Sequence, residues 1–599
     1  AAATAGATVL ARTEASTATA AAHAFAAGLD VIFQSSYPEH RPYLQAIRDG
    51  VVPEATLDSA VLRVLRLKFA LGLFDESPIS PDSAAAAAND PAHRQLAREA
   101  ATASVVLLRN ASRRGRTVDS LAPRTLPFAA GTRRIAVIGP DADTVRLGGY
   151  SGPGVDPVSI AAAIRARAGR GAQVRVVRGA SRAIHTHRVV PATLLESVID
   201  GRRQTGLQAS YWDNPWLQGE PRVRRVDATI DFRWTLGSPA RELPYDWYSA
   251  RWTGTLIVPP EGITRLGVDG NDGVRIWLDG TLVLDAWEKR SAGVQLAAVR
   301  LAAGTRHELK VEYTERTGNA RVSLVYDAPR VPSPDAEIAA AVAAARASEA
   351  AVLVVGIEEG EFRDRARLSL PGHQEALIRA VAATGTPTTV VIVGGSAVTM
   401  SRWIDSVGAV LMAWYPGEDG GPAIAGLLFG DASPSGRLPI TFPLEEGQLP
   451  LTYDHKPTGR GDDYVDLTGQ PLFPFGYGLS YTQFAYDQLR ITTTGRGDST
   501  RVTVRARVRN TGTRAGKEVV QLYLRDVLTS VAQPLIALKG VAPVTLSPGE
   551  ATDVTFVLTA EHLRLLDASM HWVVERGEFR VMVGASSRDI RLRDTFVVQ

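Results

Sequence analysis

Residues 356 to 372, GIEEGEFRDRARLSLPG, gather three glutamates, one aspartate and three arginines directly after an apolar run. Glu359 and Glu361 stand at alternate positions just past AAVLVVG (350 to 356), whose β-branched, uncharged composition is that of a buried strand. Ligands of open parallel sheets bind beyond the carboxyl ends of the strands, so both carboxylates lie where proton transfer is commonly carried out. A general acid needs a carboxyl whose pKa is raised toward neutrality, and partial enclosure near a second carboxylate has that tendency. A loop of mutually paired charges accounts for the same letters, because Arg363, Asp364 and Arg365 follow at once. Spacing alone leaves both readings open.

The elements that must position this loop belong to a long chain. Its 599 residues exceed what one core can organise and read as about three to five domains. A formal charge of +3 without basic clustering argues against nucleic acid as a partner. No apolar stretch approaches the roughly eighteen residues of a membrane helix, so no membrane span is expected. The absence of cysteine excludes disulfides, thiolate metal sites and a cysteine nucleophile. The ten histidines never pair at metal-ligand spacing; His185 and His187 alternate in a polar stretch and read as exposed. Neither a metal nor a cofactor is expected, and Gly152 to Gly154 lack the spacing and the following lysine of a phosphate loop.

The pattern changes texture along the chain. Residues 14 to 27 are alanine-rich and helix-prone, with Gly28 as a C-cap, the apolar run LDVIF (29 to 33) reads as a buried strand, and Pro53 and Glu54 open a second helix. This is the tail of an α/β domain, far short of the about 250 residues a closed (β/α)8 barrel takes. RIAVIGPDAD, AAVLVVG, TTVVIVGG and GAVLMAWYPG then predict a parallel sheet with helices on its faces. Between them, residues 203 to 328 hold seven of the ten tryptophans, alternating strands and an Asp279-Gly280 hairpin turn, the marks of an inserted all-β domain. From RVTVRARVRN onward, period-two runs separated by turns predict a β-sandwich of about seven strands.

Several of these stretches together resemble glycoside hydrolase family 3. AAAHAFAAGLDV and LRVLRLKFALGLFD are similar to the end of that family's catalytic barrel, and ASVVLLRN, IAVIGPDAD and LGGYSG to the start of its α/β sandwich domain. WYPGEDGGPAIAGLLFGDASPSGRLPITFP and FPFGYGLSY resemble its most recognisable segments, and GLQASYWDNPWLQG, RWTGTL and NDGVRIWLDGTLVLDAW resemble the PA14 module that some members carry. The resemblance implies a multidomain α/β plus all-β fold: a barrel remnant (1–78), the first part of the α/β sandwich (79–202), a PA14-like insert (203–328), the second part of the sandwich (329–472) and a connecting segment with a fibronectin type III-like, Ig-like β-sandwich (473–599).

The activity implied is retaining hydrolysis of β-glycosides at the non-reducing ends of β-linked oligosaccharides or on aryl β-glycosides, by two carboxylates about 5 to 5.5 Å apart. The family's acid/base lies in a pattern such as Glu-x-Glu-Phe-x-Asp-Arg; EGEFRDR fits it and places the role on Glu361, with Glu359 as runner-up. The family nucleophile is an aspartate in a Ser-Asp-Trp-like segment about thirty residues before AAGLD, yet no aspartate precedes Asp30, so the nucleophile is expected outside this chain, along with the lysine-histidine pair that holds the first sugar. Asp30 itself reads as structural. The chain starts at Ala1 and its first methionine is Met400, consistent with N-terminal incompleteness; a periplasmic or secreted location is favoured over a cytoplasmic one. Asn271-Asp272 stands where some PA14 modules carry calcium-binding aspartates, with the first replaced. Phe362 resembles β-xylosidase forms while a PA14 insert is frequent among β-glucosidases, and the lean is toward β-glucoside. The competing reading is a carbohydrate-binding or structural fragment without turnover.

Overall fold

A computed structural model describes residues 13–32, 37–75, 80–88, 90–111, 124–182, 187–234, 237–288, 293–317, 320–328, 333–360, 363–458 and 463–599. The chain forms two compact units, Ala1–Ile79 with His185–Val331, and Ser80–Ile184 with Pro332–Gln599.

The second unit is built around one six-stranded sheet. Its strands are β1 (Val106–Asn110), β2 (Arg134–Ile138), β3 (Gln173–Val177), β4 (Ala350–Gly356), β5 (Thr388–Val393) and β6 (Ala409–Trp414), in the order β1-β6-β5-β4-β2-β3. β2 to β6 run parallel, as their unbroken apolar runs predict. β1 pairs antiparallel with β6 at the sheet edge, with a bulge between Leu107 and Arg109. Every residue of β4 is buried, and alternate side chains enter opposite cores: Ala351, Leu353 and Val355 on one face, Ala350, Val352 and Val354 on the other. The first face is covered by helices Pro334–Arg346 and Gln374–Ala382, the second by Ile160–Ala168 and Gly420–Phe429. Ser333 and Ser159 cap two of these helices by accepting from the amides of Ala336 and Ala162. The alanines Ala341, Ala344 and Ala345 let the first helix lie close to the sheet.

The same unit ends in two antiparallel sheets. One joins Phe484–Thr494, Arg501–Asn510 and Ala551–Leu558; the other joins Gly516–Asp526, Ala537–Leu546, Gly577–Gly584 and Ile590–Val598. These seven strands enclose a core that includes Val504, Leu522, Phe579 and Val581, the sandwich that the period-two pattern predicts.

In the first unit, the N-terminal part is a small helical cluster. Thr17–Ala26 starts on a capping box between Ser16 and Thr19, and Phe25 packs edge-on against Tyr43 at 5.9 Å. The predicted strand LDVIF does not form over its described residues 29 to 32, and Val31 is half exposed. A strand needs partners for its backbone groups, and none lies beside this one among the described residues. Asp30 closes no strand and instead accepts two bonds of 2.7 Å from Arg63. The helix Glu54–Ala70 leaves Val61, Leu62, Leu67 and Phe69 in solvent.

The remaining part of that unit is all-β, with an eight-stranded and a five-stranded sheet around Trp252, Tyr211, Tyr248 and Tyr313, all fully buried. Strands Arg188–Val189, Leu195–Ile199 and Arg202–Thr205 belong to these sheets, so the all-β part takes in residues before the position 203 read from the sequence. Asp279 and Gly280 do form a hairpin turn, both with left-handed φ, at 49° and 76°. His187, expected in solvent, is mostly covered, with Nε2 3.9 Å from Asp269.

Three strands bring ionisable groups together inside this core. Tyr248 is opposite Glu315 and Gly273 opposite Thr314, which sets Asp272 beside Glu315. Asp272 and Glu315 are buried, and Asp272 Oδ1 and Glu315 Oε1 have no hydrogen-bond donor among the described residues. Tyr313 donates to Glu315 Oε2, and Asn271 Nδ2 donates to Asp272 Oδ2 at 3.2 Å. Burial pushes the Glu315 carboxyl up to about 8 against the lowering effect of the Tyr313 hydroxyl, and the Asp272 charge adds to the rise. A proton held on Glu315 supplies the donor that Asp272 lacks. A carboxyl raised in this way stabilises the fold fully below its unfolded pKa and loses that contribution as pH rises through the folded value. The urea midpoint read by tryptophan fluorescence, which this part dominates, should therefore fall between about pH 5 and about pH 9. Glu315→Gln should flatten that fall; an unchanged slope in the variant would refute the assignment.

Candidate functional site

At Gly356, the last residue of β4, only glycine fits: a Cβ would stand 1.8 Å from the Val393 carbonyl oxygen of β5. The chain then leaves the sheet through Ile357, Glu358, Glu359 and Gly360 on the carboxyl side of the strands. The LGGYSG loop packs on this exit, and Gly149 is required there, since a Cβ would come within 2.3 Å of the Glu359 carbonyl oxygen.

Glu359 is bound on every side. Tyr415 donates its hydroxyl to Oε2, the Gly395 amide donates to the same oxygen at 2.9 Å, and Ser396 Oγ donates to Oε1 at 2.7 Å. The Glu359 amide donates back to the Tyr415 hydroxyl at 3.1 Å. Tyr415 reaches this position because β6 slips register at its end, between Ile392/Val393 of β5 and Met412/Trp414, and Trp414 takes a left-handed φ of 57°. Arg365 completes the clamp by donating to Ser396 Oγ at 2.9 Å. Partial burial raises the Glu359 carboxyl, but the Tyr415, Gly395 and Ser396 donors outweigh it and hold the pKa below the ordinary glutamate value.

Glu358 enters a second network. Arg363 lies 2.6 Å from its carboxylate, Arg182 3.4 Å and Arg146 4.0 Å. Arg146 and Arg182 also donate to Asp141, just past β2 and 1% exposed, at 2.9 and 3.1 Å. A carboxylate so buried is tolerated only with such partners. Glu361 and Phe362 lie outside the described residues; Asp364, two positions beyond Phe362, is exposed.

The structure thus brings Glu359, Arg365, Ser396 and Tyr415 together, and beside them Glu358, Arg363, Arg146, Arg182 and Asp141. Sequence reasoning found the loop but missed Asp141, Ser396 and Tyr415. The signal was present, because each follows the carboxyl end of a parallel strand, the rule that singled out Glu359. Among the described residues, no group of three His, Asp or Glu side chains is placed to hold a metal ion.

Residues 105–481 match the glycosyl hydrolase family 3 C-terminal domain, and residues 518–587 a fibronectin type III-like domain. The chain belongs to glycosyl hydrolase family 3. Over 95% of its length it is 29% identical to a periplasmic β-glucosidase of Salmonella typhimurium, and over 95% it is 28% identical to a xylan 1,4-β-xylosidase of Xylanibacter ruminicola. The whole chain aligns with the solved structure of a β-glucosidase from Erythrobacter marinus, at 28% identity and a TM-score of 0.69. This family 3 chain spans 59%, 65% and 62% of those three proteins respectively, less than two thirds of each.

The clamp on Glu359 is testable without turnover. A hydrogen bond to a charged acceptor contributes roughly 1.5–3 kcal/mol. Tyr415→Phe should therefore speed amide exchange in peptides covering 356–360 and 394–396 by about tenfold or more, read by hydrogen-deuterium exchange mass spectrometry. Exchange unchanged in both peptides would show that the Tyr415 hydroxyl does not hold the loop.

Proposed function

We propose that this family 3 chain carries the proton-donating half of a retaining β-glycoside hydrolase, with Glu361 as general acid/base and an attacking carboxylate that lies outside its 599 residues. The observation that carries the reading is the state of Glu359. Three donors favour its ionised form, which suits an anchor and supports placing the proton donor elsewhere on the loop. Glu361 follows two residues later in the sequence. The role of Glu359 is then positioning: it ties the loop to the ends of β5 and β6.

In this proposal the chemistry divides between two carboxyls. One attacks the anomeric carbon as Glu361 gives its proton to the departing oxygen, and Glu361 then takes a proton from the water that releases the sugar. Residues 1–78 are the end of the catalytic barrel, and the all-β part of the first unit is a PA14-like insert. The substrates are β-linked oligosaccharides or aryl β-glycosides, glucosides ahead of xylosides. The names of the Salmonella and Xylanibacter relatives support both sugars, and the periplasmic name of the first supports a periplasmic or secreted location. Among the described residues no helix is long and apolar enough to cross a membrane.

The 599-residue chain alone should hydrolyse no β-glycoside, because a proton donor without its nucleophile loses most of the rate rather than half of it. In the enzyme supplied with the attacking carboxylate, Glu361→Gln should slow glycosides with poor leaving groups far more than activated aryl glycosides, which need little protonation. The same signature from Glu359→Gln, and not from Glu361→Gln, would move the acid by two positions. Turnover by the chain alone would overturn the division of roles. For the sugar, kcat/KM on aryl glucoside should exceed that on aryl xyloside, and the reverse by about tenfold would reject the preference.

A further inference from the structure

The second unit holds a cavity of about 680 Å³, remote in sequence from the acidic loop and within the range of roughly 300–1,000 Å³ of small-molecule sites. Three stretches line it: parts of 441–475 that lead out of the six-stranded sheet's domain, residues 535–536, and residues 587–588 of the fibronectin-type sandwich. Backbone hydrogen bonds lock them together. Leu535 donates its amide to the His455 carbonyl at 3.1 Å, Ser587 to the Phe475 carbonyl at 3.0 Å, and Leu538 to the Tyr453 hydroxyl at 3.3 Å.

The lining combines rings with two opposite charges. Tyr453 is stacked on Phe475, with centroids 4.1 Å apart and planes inclined by 14°, and Tyr464 is a third ring, 48% exposed. Asp463 Oδ1 accepts from Thr468 Oγ1 at 3.1 Å and from the Gly469 amide at 2.8 Å, which fixes the side chain and leaves Oδ2 free of donors among the described residues. The Arg588 guanidinium lines the same cavity without an acceptor among the described residues, although its neighbour Arg591 is bonded to Asp589 and to the Phe484 carbonyl.

That chemistry narrows the ligand. An anion would meet Asp463, a cation would meet Arg588, and an apolar molecule would leave both charges without partners. A neutral polyol with an apolar face satisfies all of them: its hydroxyls donate to a carboxylate and accept from a guanidinium, and its C–H face lies against an aromatic ring. We propose that this cavity is a binding site for a sugar unit of a β-linked oligosaccharide, with Tyr464 as the stacking ring and Arg588 and Asp463 as the hydroxyl partners. Only the linkage rests on the glycoside-hydrolase reading; the choice of a sugar comes from the cavity.

The test is calorimetric titration of the full chain carrying Glu361→Gln, so that no turnover can consume the ligand, with cellohexaose and with xylohexaose. At least one should bind saturably, and Arg588→Ala and Tyr464→Ala should each weaken that binding by about tenfold or more, with unchanged melting temperature. Both side chains are exposed, so neither substitution removes buried packing. Absence of saturable binding by both sugars, binding that neither variant alters, or equally tight binding of p-nitrophenol would overturn the proposal. Chromatography of the sugars after each titration checks that none has been hydrolysed, so failure of the acid/base assignment leaves the binding outcome readable.

Discussion

A carboxylate half withdrawn from water cannot stay ionised without donors, and the donors around Glu359 come from the ends of neighbouring strands, Gly395 and Ser396 after β5 and Tyr415 at the end of β6. The arrangement of the loop follows from this need. β4 must be buried on both faces to be part of the sheet, and so it can present polar chemistry only where it stops. Gly356 lets β5 lie close against the end of β4, the slip in β6 turns Tyr415 inward, and Gly149 lets a second loop lie against the exit. Each feature would be a defect elsewhere in the sheet. Together they fix where the segment following Glu359 begins.

The second network obeys the same logic with more charges. Asp141 is nearly inaccessible and is tolerated because Arg146 and Arg182 both reach it, and those arginines reach Glu358 as well. The ends of β2 and β4 are therefore bridged by alternating charges, while β4, β5 and β6 are bridged by neutral donors around one carboxylate. Two adjacent glutamates thus belong to separate networks, one of charges and one of neutral donors.

Much of this was legible in the sequence because parallel strands leave a strong trace: short runs rich in valine and isoleucine with no charged interruption, as in AAVLVVG and TTVVIVGG. The seven-stranded sandwich and the Asp279-Gly280 turn were equally plain, since period two and paired left-handed residues have few alternatives. The direction of β1 was not legible. VVLL says that a strand is buried but nothing about which neighbour it pairs with or in which sense. LDVIF failed for a related reason, because apolar composition promises a strand only where partners exist. The all-β part starts before position 203 because Leu195–Ile199 is short and Arg202–Thr205 is polar throughout, so composition changes later than pairing does. At the site, the loop was found by position; Ser396 and Tyr415 follow strand ends in the same way, but nothing in the sequence says which strand end faces which, so their pairing with Glu359 became visible only in the fold.

The interruption of the six-stranded sheet by the all-β part has a kinetic side. β2 and β4 are neighbours, with Ala136 opposite Ala351, although the whole insert lies between them in the chain. Loop closure over a disordered segment costs roughly 0.6 kcal/mol more for each doubling of its length. The insert, however, begins and ends in adjacent strands, for Val189 pairs with Val325 and Arg188 with Tyr326. Once folded, it returns the chain to within one strand spacing of where it left. To the sheet, the long excursion then counts as a short bridge, so β4 finds β2 as if the insert were a tight turn. Lengthening or trimming loops inside the insert should leave the register of that sheet untouched.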